Sequence, residues 1–428
     1  MKIALWCCWA LLAYTYFGYL GWLRLRTAWR SRPVHKAPVT PSASIVLAVF
    51  NEERQITKKL RNLADLDYST DKTEIIVVSD GSTDGTNTLL SQITGLNFRV
   101  IACERHVGKA EALNRGVAEA SGDIVVFTDA RQMIEQKALR ELMANFADPN
   151  VGCVSGELML AEDGSLDGIA KPMGLYWRYE KLIRKLESQT GSVVGATGAF
   201  YAARRSLIPH VTPGTLLDDV FIPISIARAG YRVVFEPEAR AWDVAACDPK
   251  TEFRRKVRTL TGNYQLLGLA PWVLSRQNPL WRELISHKLL RLAFPLIAGV
   301  AFCISMFVRD FWSIAFCAGV LSLLGAATLA YLRILIPPLT SACNVALGFV
   351  VLNFGAMVAL FNVICRRNVI WTAAGSESGV LSAVQSIGEV PSRLQYSEGT
   401  GRGDHVPLQS YANGSADVGS DHDRSDAA

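Results

Sequence analysis

Polar and acidic residues follow directly after several segments of the sequence that are typical of buried strands. Three such groups each combine at least one acid with other polar residues: Asn51-Glu52-Glu53, Asp80-Gly81-Ser82 and Asp129-Ala130-Arg131. In a parallel sheet the carboxyl ends of the strands meet at one edge, and ligands bind there. Carboxylates at such an edge can ligate a divalent cation or take a proton from a reacting hydroxyl. Any one of these groups fits a turn or a helix cap equally well, so only the three together indicate a binding site.

The elements that would bring these groups together alternate between strands and helices from about residue 41 to residue 262. Four short segments rich in Val and Ile are predicted to be buried strands: Ser44–Phe50, Glu74–Ser79, Arg99–Ala102 and Asp123–Thr128. Between them, Ile56, Leu60 and Leu63 recur at helical spacing, and Lys109–Ala120 is predicted to be another helix. This alternation predicts an α/β fold with a mostly parallel sheet.

Common phosphate-binding motifs do not explain the site. Gly108-Lys109 lacks two required residues of a P-loop, because Cys103 replaces the earlier glycine and Ala110 replaces the Ser or Thr. No Gly-x-Gly-x-x-Gly follows the first strand either. A formal net charge of +5 on 428 residues is too small to indicate nucleic-acid binding, and we predict no such partner.

A series of motifs in this region resembles glycosyltransferase family 2. The residues that carry the resemblance, in chain order, are Phe50-Asn51-Glu52-Glu53, Ser79–Thr86, Gly108–Asn114, Phe127-Thr128-Asp129-Ala130, Gly198-Ala199-Phe200, Leu217-Asp218-Asp219 and Arg255-Lys256-Val257-Arg258. They look most like the membrane-embedded branch of the family, which contains cellulose, hyaluronan and poly-N-acetylglucosamine synthases. The resemblance covers roughly residues 41–262 and the flanking apolar segments.

This resemblance implies a GT-A fold, whose nucleotide-binding half is a doubly wound, Rossmann-like sheet, and inverting transfer from a nucleotide-sugar, usually a UDP-sugar. Asn51, Glu53 and Asp80 would line the nucleoside pocket, and Lys109 would approach the donor. Asp129 corresponds to the first acid of the family's Asp-x-Asp metal motif, so the expected cofactor is a divalent cation, Mg²⁺ or Mn²⁺.

The resemblance also assigns the catalytic groups. Asp219 corresponds to the general base, and Asp218 stands where the family usually has glutamate. Arg255 and Arg258 correspond to the basic positions of the (Gln/Arg)-x-x-Arg-Trp motif, beside the diphosphate or the acceptor. These residue types suit the reaction, since one carboxylate takes the proton of the acceptor hydroxyl while cationic groups stabilise the departing diphosphate. A helix cap at Asp218-Asp219 and a membrane-proximal basic patch around Arg255 are the structural alternatives.

Two positions depart from the family's pattern. Arg131 replaces the second acid of Asp-x-Asp, and a guanidinium cannot ligate a cation. Either Asp129 and the diphosphate hold the metal alone, or Arg131 contacts the diphosphate and partly replaces the metal, so weakened metal dependence is expected. Thr259 replaces the motif's tryptophan, which puts the usual acceptor and processive synthesis in doubt.

Long apolar segments flank the predicted domain. Spans are predicted near Ile3–Leu23, Leu292–Val308, Phe311–Leu332 and Asn344–Cys365. The resulting division is a transmembrane helix and basic linker at 1–40, a glycosyltransferase domain at 41–262, an amphipathic interface helix at 263–288, transmembrane helices at 289–371 and a disordered tail at 372–428. An ordinary surface helix of the domain is the alternative for 263–288.

Arginines and a lysine follow the first span, whereas only Lys2 precedes it. This bias predicts a cytoplasmic domain in a multi-pass protein of the plasma (inner) membrane. A cleaved signal peptide is disfavoured, because the apolar run is long and the charges lie on the wrong side. Three later spans would leave the C-terminus outside, although Arg366-Arg367 favour the inside, so the side of the C-terminus stays open.

The leading functional hypothesis is an inverting membrane glycosyltransferase that moves a sugar to a polysaccharide or lipid-linked acceptor in the bilayer. A non-catalytic subunit that binds a nucleotide-sugar or assembly partners is the main alternative, because Arg131 and Thr259 depart from the pattern. A nucleotidyltransferase is disfavoured, since its two-metal chemistry requires a second acid near the first. The oligomeric state is not predicted.

Overall fold

In the computed structural model of the protein, residues 1–161, 170–244, 249–334 and 339–365 are described. They all lie in one compact unit, Met1–Gly379. The tail expected at 372–428 lies outside the described residues, as do residues 366–371.

The centre of the protein is an eight-stranded mixed sheet. Its strands are β1 Ala43–Val49, β2 Thr73–Ser79, β3 Arg99–Ala102, β4 Ile124–Thr128, β5 Met133–Ile134, β6 Val151–Ala161, β7 Phe200–Arg204 and β8 Arg232–Val244. They are ordered β3-β2-β1-β4-β7-β6-β8-β5. The first four positions are parallel, and β7 pairs antiparallel with both β4 and β6. The four predicted strands are confirmed as β1 to β4.

Helices cover both faces of this sheet. The helices are α1 Lys2–Ala13, α2 Tyr19–Trp29, α3 Ile56–Ala64, α4 Thr86–Gln92, α5 Lys109–Ala118, α6 Ala138–Ala144, α7 Ala170–Thr190, α8 Asp218–Arg228, α9 Pro249–Leu269, α10 Trp281–Glu283, α11 Leu290–Val308, α12 Phe311–Tyr331 and α13 Thr340–Ile364. Ile45 and Leu47 of β1 pack with α3 and α6, while Val46 between them packs with α5 and α8. Because both faces of β1 are buried, its sequence is a continuous apolar run.

The expected fold class is therefore confirmed. A doubly wound sheet forms one half of the domain, and its strand order reverses direction between β1 and β4, which is where ligands bind in such sheets. All the acids nominated from the sequence lie at or near the carboxyl ends of β1, β2 and β4 or on the helices that begin beside them.

Four helices of the described part are long and apolar enough to cross a membrane: Lys2–Trp29, Trp281–Val308, Phe311–Tyr331 and Thr340–Ile364. The first and second include π-helical turns, at Tyr14–Gly18 and Leu284–Leu289. The second helix begins at Trp281, before the span predicted near Leu292–Val308, and contains that span. Its first turns are buried against other elements and include polar residues, which hid this part of the helix from a search for apolar runs.

The N-terminal helix packs against the domain. Tyr19 and Leu23 are buried with Ile183 of α7. The Tyr19 hydroxyl donates a hydrogen bond of 2.7 Å to Glu187, also on α7. Arg26 lies 2.5 Å from the Glu283 carboxylate, at the start of the second apolar helix. The helix is thus held to the domain by both apolar and polar contacts.

Residues 263–288 do not form one helix. They comprise the end of α9, a 3₁₀ turn at Pro271–Leu274, and the start of the helix that begins at Trp281. Leu266, Val273 and Leu284 are buried in a small core with residues of α8, such as Val220. These three apolar side chains therefore pack inside the protein, and a location of residues 263–288 at the membrane interface stays a prediction.

Candidate functional site

The register between β4 and β7 brings two of the nominated acids together. Thr128 pairs with Phe200, so Asp129, which follows β4, lies beside the loop that precedes β7. In that loop the Gly198 amide donates a hydrogen bond of 3.1 Å to Asp219 Oδ2. A Cβ on residue 198 would lie 3.1 Å from the same oxygen, closer than ordinary packing allows. Glycine there lets the backbone reach the Asp219 carboxylate.

Lys109 joins these acids. Its ammonium nitrogen lies 3.0 Å from Asp129 Oδ1 and 3.6 Å from Asp218 Oδ1. Burial opposes the charge of Lys109, but Asp129, Asp218 and Asp219 outweigh it and hold the lysine pKa above its usual value. The structure thus gathers Lys109, Asp129, Asp218 and Asp219, and we call these four residues the acid–lysine cluster.

The surroundings of the Asp219 carboxyl raise its pKa. Burial, followed by repulsion from Asp218, raises the pKa of the Asp219 carboxyl to about 6, and Lys109 limits the rise. A base with a pKa slightly below neutral is ionised at pH 7 and still accepts a proton readily.

Asp80 fixes the backbone directly before Lys109. Its carboxylate is fully buried and accepts hydrogen bonds from the amides of Val107, at 2.7 Å, and Gly108, at 2.8 Å. Gly108 has a φ of +94° and immediately precedes α5, which begins at Lys109. The Asp80 carboxylate therefore fixes the turn that aims Lys109. Its expected contact with a nucleoside stays a prediction.

Asn51 and Glu53 connect the loops after β1 and β2. Asn51 Oδ1 accepts a hydrogen bond of 2.8 Å from the Thr83 amide, and Glu53 Oε2 accepts one of 2.8 Å from the Gly85 amide. Asn51 itself has a φ of +55°, a left-handed conformation that asparagine tolerates better than most residues. These hydrogen bonds join the two loops at the sheet edge beside β1. A contact of Asn51 or Glu53 with a nucleoside stays a prediction.

Arg131 and Arg255 meet at a carboxylate that the sequence did not single out. Arg131 Nη2 donates a hydrogen bond of 2.6 Å to Asp243 Oδ2, and Arg255 Nη1 lies 3.9 Å from the same oxygen. Arg255 also pairs with Glu252 on α9. Arg258 is partly buried on α9, and Thr259 is exposed on the same helix. The two arginines assigned to different motifs thus lie in one ion-pair group.

Several further residues belong to this site. Glu52 lies between Asn51 and Glu53 in the sequence. Burial and then the charge of Asp129 raise the pKa of the Glu52 carboxyl to about 7, so Glu52 lies close to Asp129. Tyr201 on β7 is fully buried, and its hydroxyl makes no hydrogen bond within the described ranges. Burial, then Asp218 and Asp219, raise the pKa of this phenol well above its usual value, so it is a neutral donor next to the acid–lysine cluster.

Lys59 is a fully buried lysine beneath the loop that carries Asp129. Its ammonium donates hydrogen bonds to Thr128 Oγ1, at 2.8 Å, and to the Gln132 carbonyl, at 2.6 Å. Burial lowers its pKa to about 7. Lys59 therefore holds both ends of the segment that contains Asp129 and Arg131.

Replacing Lys59 with methionine is expected to reduce turnover by about tenfold to a hundredfold, because small misplacements of catalytic groups are costly.

The pH dependence of the free energy of unfolding should change in the same variant. Between pH 7 and pH 10.5 the unfolded chain keeps a proton that folded Lys59 has released, so wild-type stability rises with pH there, and the variant lacks this rise. Unfolding in detergent at pH 7 and pH 9.5 measures the difference. Lys72→Met, on the surface, is the control, and parallel pH curves for wild type and Lys59→Met would contradict the assignment.

The described residues offer only a partial set of metal ligands. Within the described ranges no three His, Cys, Asp or Glu side chains are placed to hold a metal ion. Asp129, whose side chain is 39% exposed, is the accessible acid that matches the metal motif. Magnesium often binds through one or two carboxylates and completes its shell with substrate phosphates. Asp129 fits such a cation if the donor's diphosphate supplies further oxygens.

A cavity of about 740 Å³ lies at the opposite edge of the sheet. It is lined by residues at the start of β4 and the end of β7, including Asp123 and Arg204. None of the nominated residues lines it. Arg204 already donates hydrogen bonds to the carbonyls of Val151 and Phe146, so this cavity does not compete with the acid–lysine cluster as the candidate site.

Comparison with known proteins agrees with the geometry at the sheet edge. Residues 44–211 match the sequence model of a family described as Glycosyl transferase family 2. This part of the chain is therefore similar to the glycosyltransferases of that family. The matched range contains Asn51, Asp80, Lys109 and Asp129, and it ends before Asp219.

Relatives of this chain include polysaccharide synthases. Poly-beta-1,6-N-acetyl-D-glucosamine synthase from Staphylococcus aureus is 27% identical over 272 residues, which cover 60% of this chain and 65% of the relative. The enzyme of the same name from Staphylococcus epidermidis is 25% identical over 229 residues, covering 52% of this chain and 55% of the relative. The chain therefore spans less than two thirds of the length of these relatives.

The fold is also similar to that of a solved structure, the mannosyltransferase PcManGT from Pyrobaculum calidifontis in complex with GDP-Man and Mn²⁺. The TM-score is 0.61 at 23% identity, and the match covers 83% of this chain and 99% of that chain. At this identity the similarity establishes the GT-A fold alone.

Proposed function

We propose that this protein is an inverting membrane glycosyltransferase that moves a sugar from a nucleotide-sugar to a polysaccharide or lipid-linked acceptor. The observation that carries the proposal is the acid–lysine cluster, in which one lysine and three carboxylates from distant parts of the chain meet at the carboxyl edge of a family 2 domain. Four apolar helices attached to that domain support a membrane location.

Asp219 is the proposed general base. Its pKa of about 6 leaves it ionised at neutral pH, and the Gly198 amide orients its Oδ2 atom. The carboxylate takes the proton of the acceptor hydroxyl while that oxygen attacks the anomeric carbon. Asp218 keeps the Asp219 pKa high and anchors Lys109.

Lys109, Asp129 and the arginines are proposed to handle the leaving nucleoside diphosphate. A divalent cation on Asp129 would neutralise charge that develops on the diphosphate as it departs. Lys109 is positioned by its ion pair with Asp129 to contact the same phosphates, and Arg255 and Arg258 add positive charge from α9. Arg131 supports weakened metal dependence, since it brings a fixed cation to the second position of the motif.

The donor and acceptor follow from chemistry and relatives together. The named relatives make a polymer of N-acetylglucosamine, and the structural neighbour was solved with GDP-Man, so a UDP-sugar is proposed as donor and a GDP-sugar is tested beside it. We place the family 2 domain in the cytoplasm at the plasma membrane, where the basic residues after the first span favour it and where nucleotide-sugars are available.

The experiment that tests this function is an assay of membranes containing the full chain with a panel of UDP-, GDP- and dTDP-sugars, followed by mass analysis of the products. Transfer of one sugar to glycan or lipid, lost in Asp219→Asn, is the expected result. Binding of a nucleotide-sugar without transfer or hydrolysis would instead favour a non-catalytic subunit, the role that the Arg131 and Thr259 departures also suit.

A further inference from the structure

We propose that Asp243, Gln132 and Arg255 form a subsite that binds hydroxyl groups of a sugar substrate. The proposal rests on the proposed glycosyltransferase function and adds a recognition element to it. None of the family motifs in the sequence contains Asp243 or Gln132.

The subsite is built where β8 ends and β5 begins. Strand β5 pairs antiparallel with β8, and Met133 lies opposite Trp242, so Gln132 and Asp243 are neighbours across the pair. Gln132 Nε2 donates a hydrogen bond of 3.0 Å to Asp243 Oδ2. Arg131 binds the same oxygen from the loop, and Arg255 approaches it from α9. Two separate elements, the loop before β5 and helix α9, thus hold one carboxylate by its Oδ2 atom.

Three further polar atoms of this group make no hydrogen bond within the described residues. Asp243 Oδ1, Gln132 Oε1 and Arg255 Nη1 are buried, and none of them makes a hydrogen bond with any residue in the described ranges. The Asp243 side chain is only 2% exposed, and Gln132 is 5% exposed. Buried polar atoms in native proteins almost always have partners, so two acceptors and one donor left together indicate a place for a polar ligand.

The chemistry of these atoms selects a hydroxyl-bearing ligand. A phosphate oxygen bound directly at Arg255 Nη1 would be repelled by the two acceptor oxygens, so the stabilisation of the diphosphate proposed for Arg255 would act through its charge at longer range. A metal cation could bind the oxygens, but Arg131 and Arg255 would repel it. A hydroxyl donates to a carboxylate or amide oxygen and accepts from a guanidinium at the same time. Adjacent hydroxyls on a hexose satisfy all three atoms without adding charge.

The subsite also lies next to the proposed chemistry. Arg131 follows Asp129 by two residues, and the charges of Asp129 and Arg131 both act on Glu52, so these side chains share one region. Arg131 stands where the Asp-x-Asp motif has its second carboxylate. Asp243, near the end of β8, places a carboxylate beside Arg131 instead. The structure gives it a hydroxyl-binding role in place of a metal-binding one.

The test combines changes in the protein with changes in the sugar. Binding constants are measured by calorimetry for UDP-N-acetylglucosamine and GDP-mannose, for their 3-, 4- and 6-deoxy analogues, and for UDP and GDP alone. Wild type is expected to lose about tenfold to a hundredfold in affinity when the recognised hydroxyl is removed. In Asp243→Asn and Gln132→Met, removal of the same hydroxyl from the sugar should lower the affinity less than threefold, because the protein atom that binds this hydroxyl has been changed or removed. Binding of UDP or GDP alone should not weaken in either variant, because both substitutions leave the arginines in place and Asp243→Asn removes a negative charge beside them.

A parallel arm distinguishes an acceptor sugar from the donor sugar. Transfer rates are measured with N-acetylglucosamine oligosaccharides and their deoxy analogues. If the loss of discrimination appears in acceptor KM and not in donor affinity, the subsite holds the acceptor. Glu236→Gln is the matched control, because Glu236 is a buried carboxylate on the same strand that pairs with Lys36 and Asn145 away from the site.

Additive effects of the protein and sugar changes in both arms would overturn the proposal, because a merely structural Asp243 weakens every ligand equally. If the variants lose as much affinity for UDP or GDP alone as for the nucleotide-sugars, the proposal is overturned and the group is an anion-binding site. Failure of wild type to bind either nucleotide-sugar would contradict the proposed function itself and remove the subsite with it.

Discussion

Asp219→Asn is expected to lower sugar transfer by about a hundredfold to ten-thousandfold, because the amide cannot take the proton of the acceptor hydroxyl. The substitution keeps the shape of the side chain, and the Gly198 amide can still donate to its oxygen. Donor affinity should therefore change little. The measurement is kcat for transfer in membranes beside the binding constant of the donor.

The pH profile gives an independent readout of the same residue. A pKa of about 6 for Asp219 predicts that kcat/KM falls tenfold per pH unit below pH 6 and is level above it. Asp218→Asn removes a nearby negative charge and should move this limb to lower pH. Lys109→Met removes a positive charge and should move it to higher pH. Shifts in the same direction, or an acid limb that survives in Asp219→Asn, would show that another group acts as base.

Asp129→Asn is the substitution with the second-largest expected effect, a loss of about a hundredfold to a thousandfold in kcat, comparable to removal of one fixed group that stabilises transition-state charge. The variant should also need more Mn²⁺ or Mg²⁺ for half-maximal rate, since Asp129 is the proposed protein ligand. A titration of each cation after treatment with chelator measures this directly.

Arg131→Gln is the matched comparison, because it leaves Asp129 in place and removes the neighbouring cation. Its rate should become more dependent on the metal than that of wild type, if Arg131 takes over part of the metal's role. Wild-type activity that vanishes with chelator, returns at ordinary metal affinity and is indifferent to Arg131→Gln would refute weakened metal dependence.

The sheet and much of the site were predictable from the sequence because both depend on local patterns. The strands β1, β2 and β4 are apolar runs that end in polar residues, and parallel pairing of such strands necessarily brings their ends together. The four residues of the acid–lysine cluster were nominated one by one from the resemblance, and the structure shows that they meet. The span predicted near Leu292–Val308 lies within the helix Trp281–Val308, whose first turns carry packed polar residues that an apolar run does not reveal.

The remaining site residues depend on contacts between distant parts of the chain. Asp243 and Arg131 are 112 residues apart in sequence, and nothing near Asp243 marks it as a partner of the metal-motif loop. Lys59 stands between apolar helix positions, where a lysine normally points to solvent. Tyr201 looks like an ordinary core aromatic residue. Only the register of β4 with β7 and the position of β8 reveal what these side chains face.

The contacts of Tyr19 and Arg26 have a practical consequence for anyone who would purify the catalytic part alone. A truncated protein beginning near residue 41 would lose the Tyr19 hydrogen bond to Glu187 and the Arg26 partner of Glu283, and it would expose the apolar surface around Ile183. Such a fragment should aggregate in aqueous buffer. The N-terminal helix is thus part of the folded structure of the domain. Biochemical work should keep this helix in the protein and use lipid nanodiscs or mild detergent.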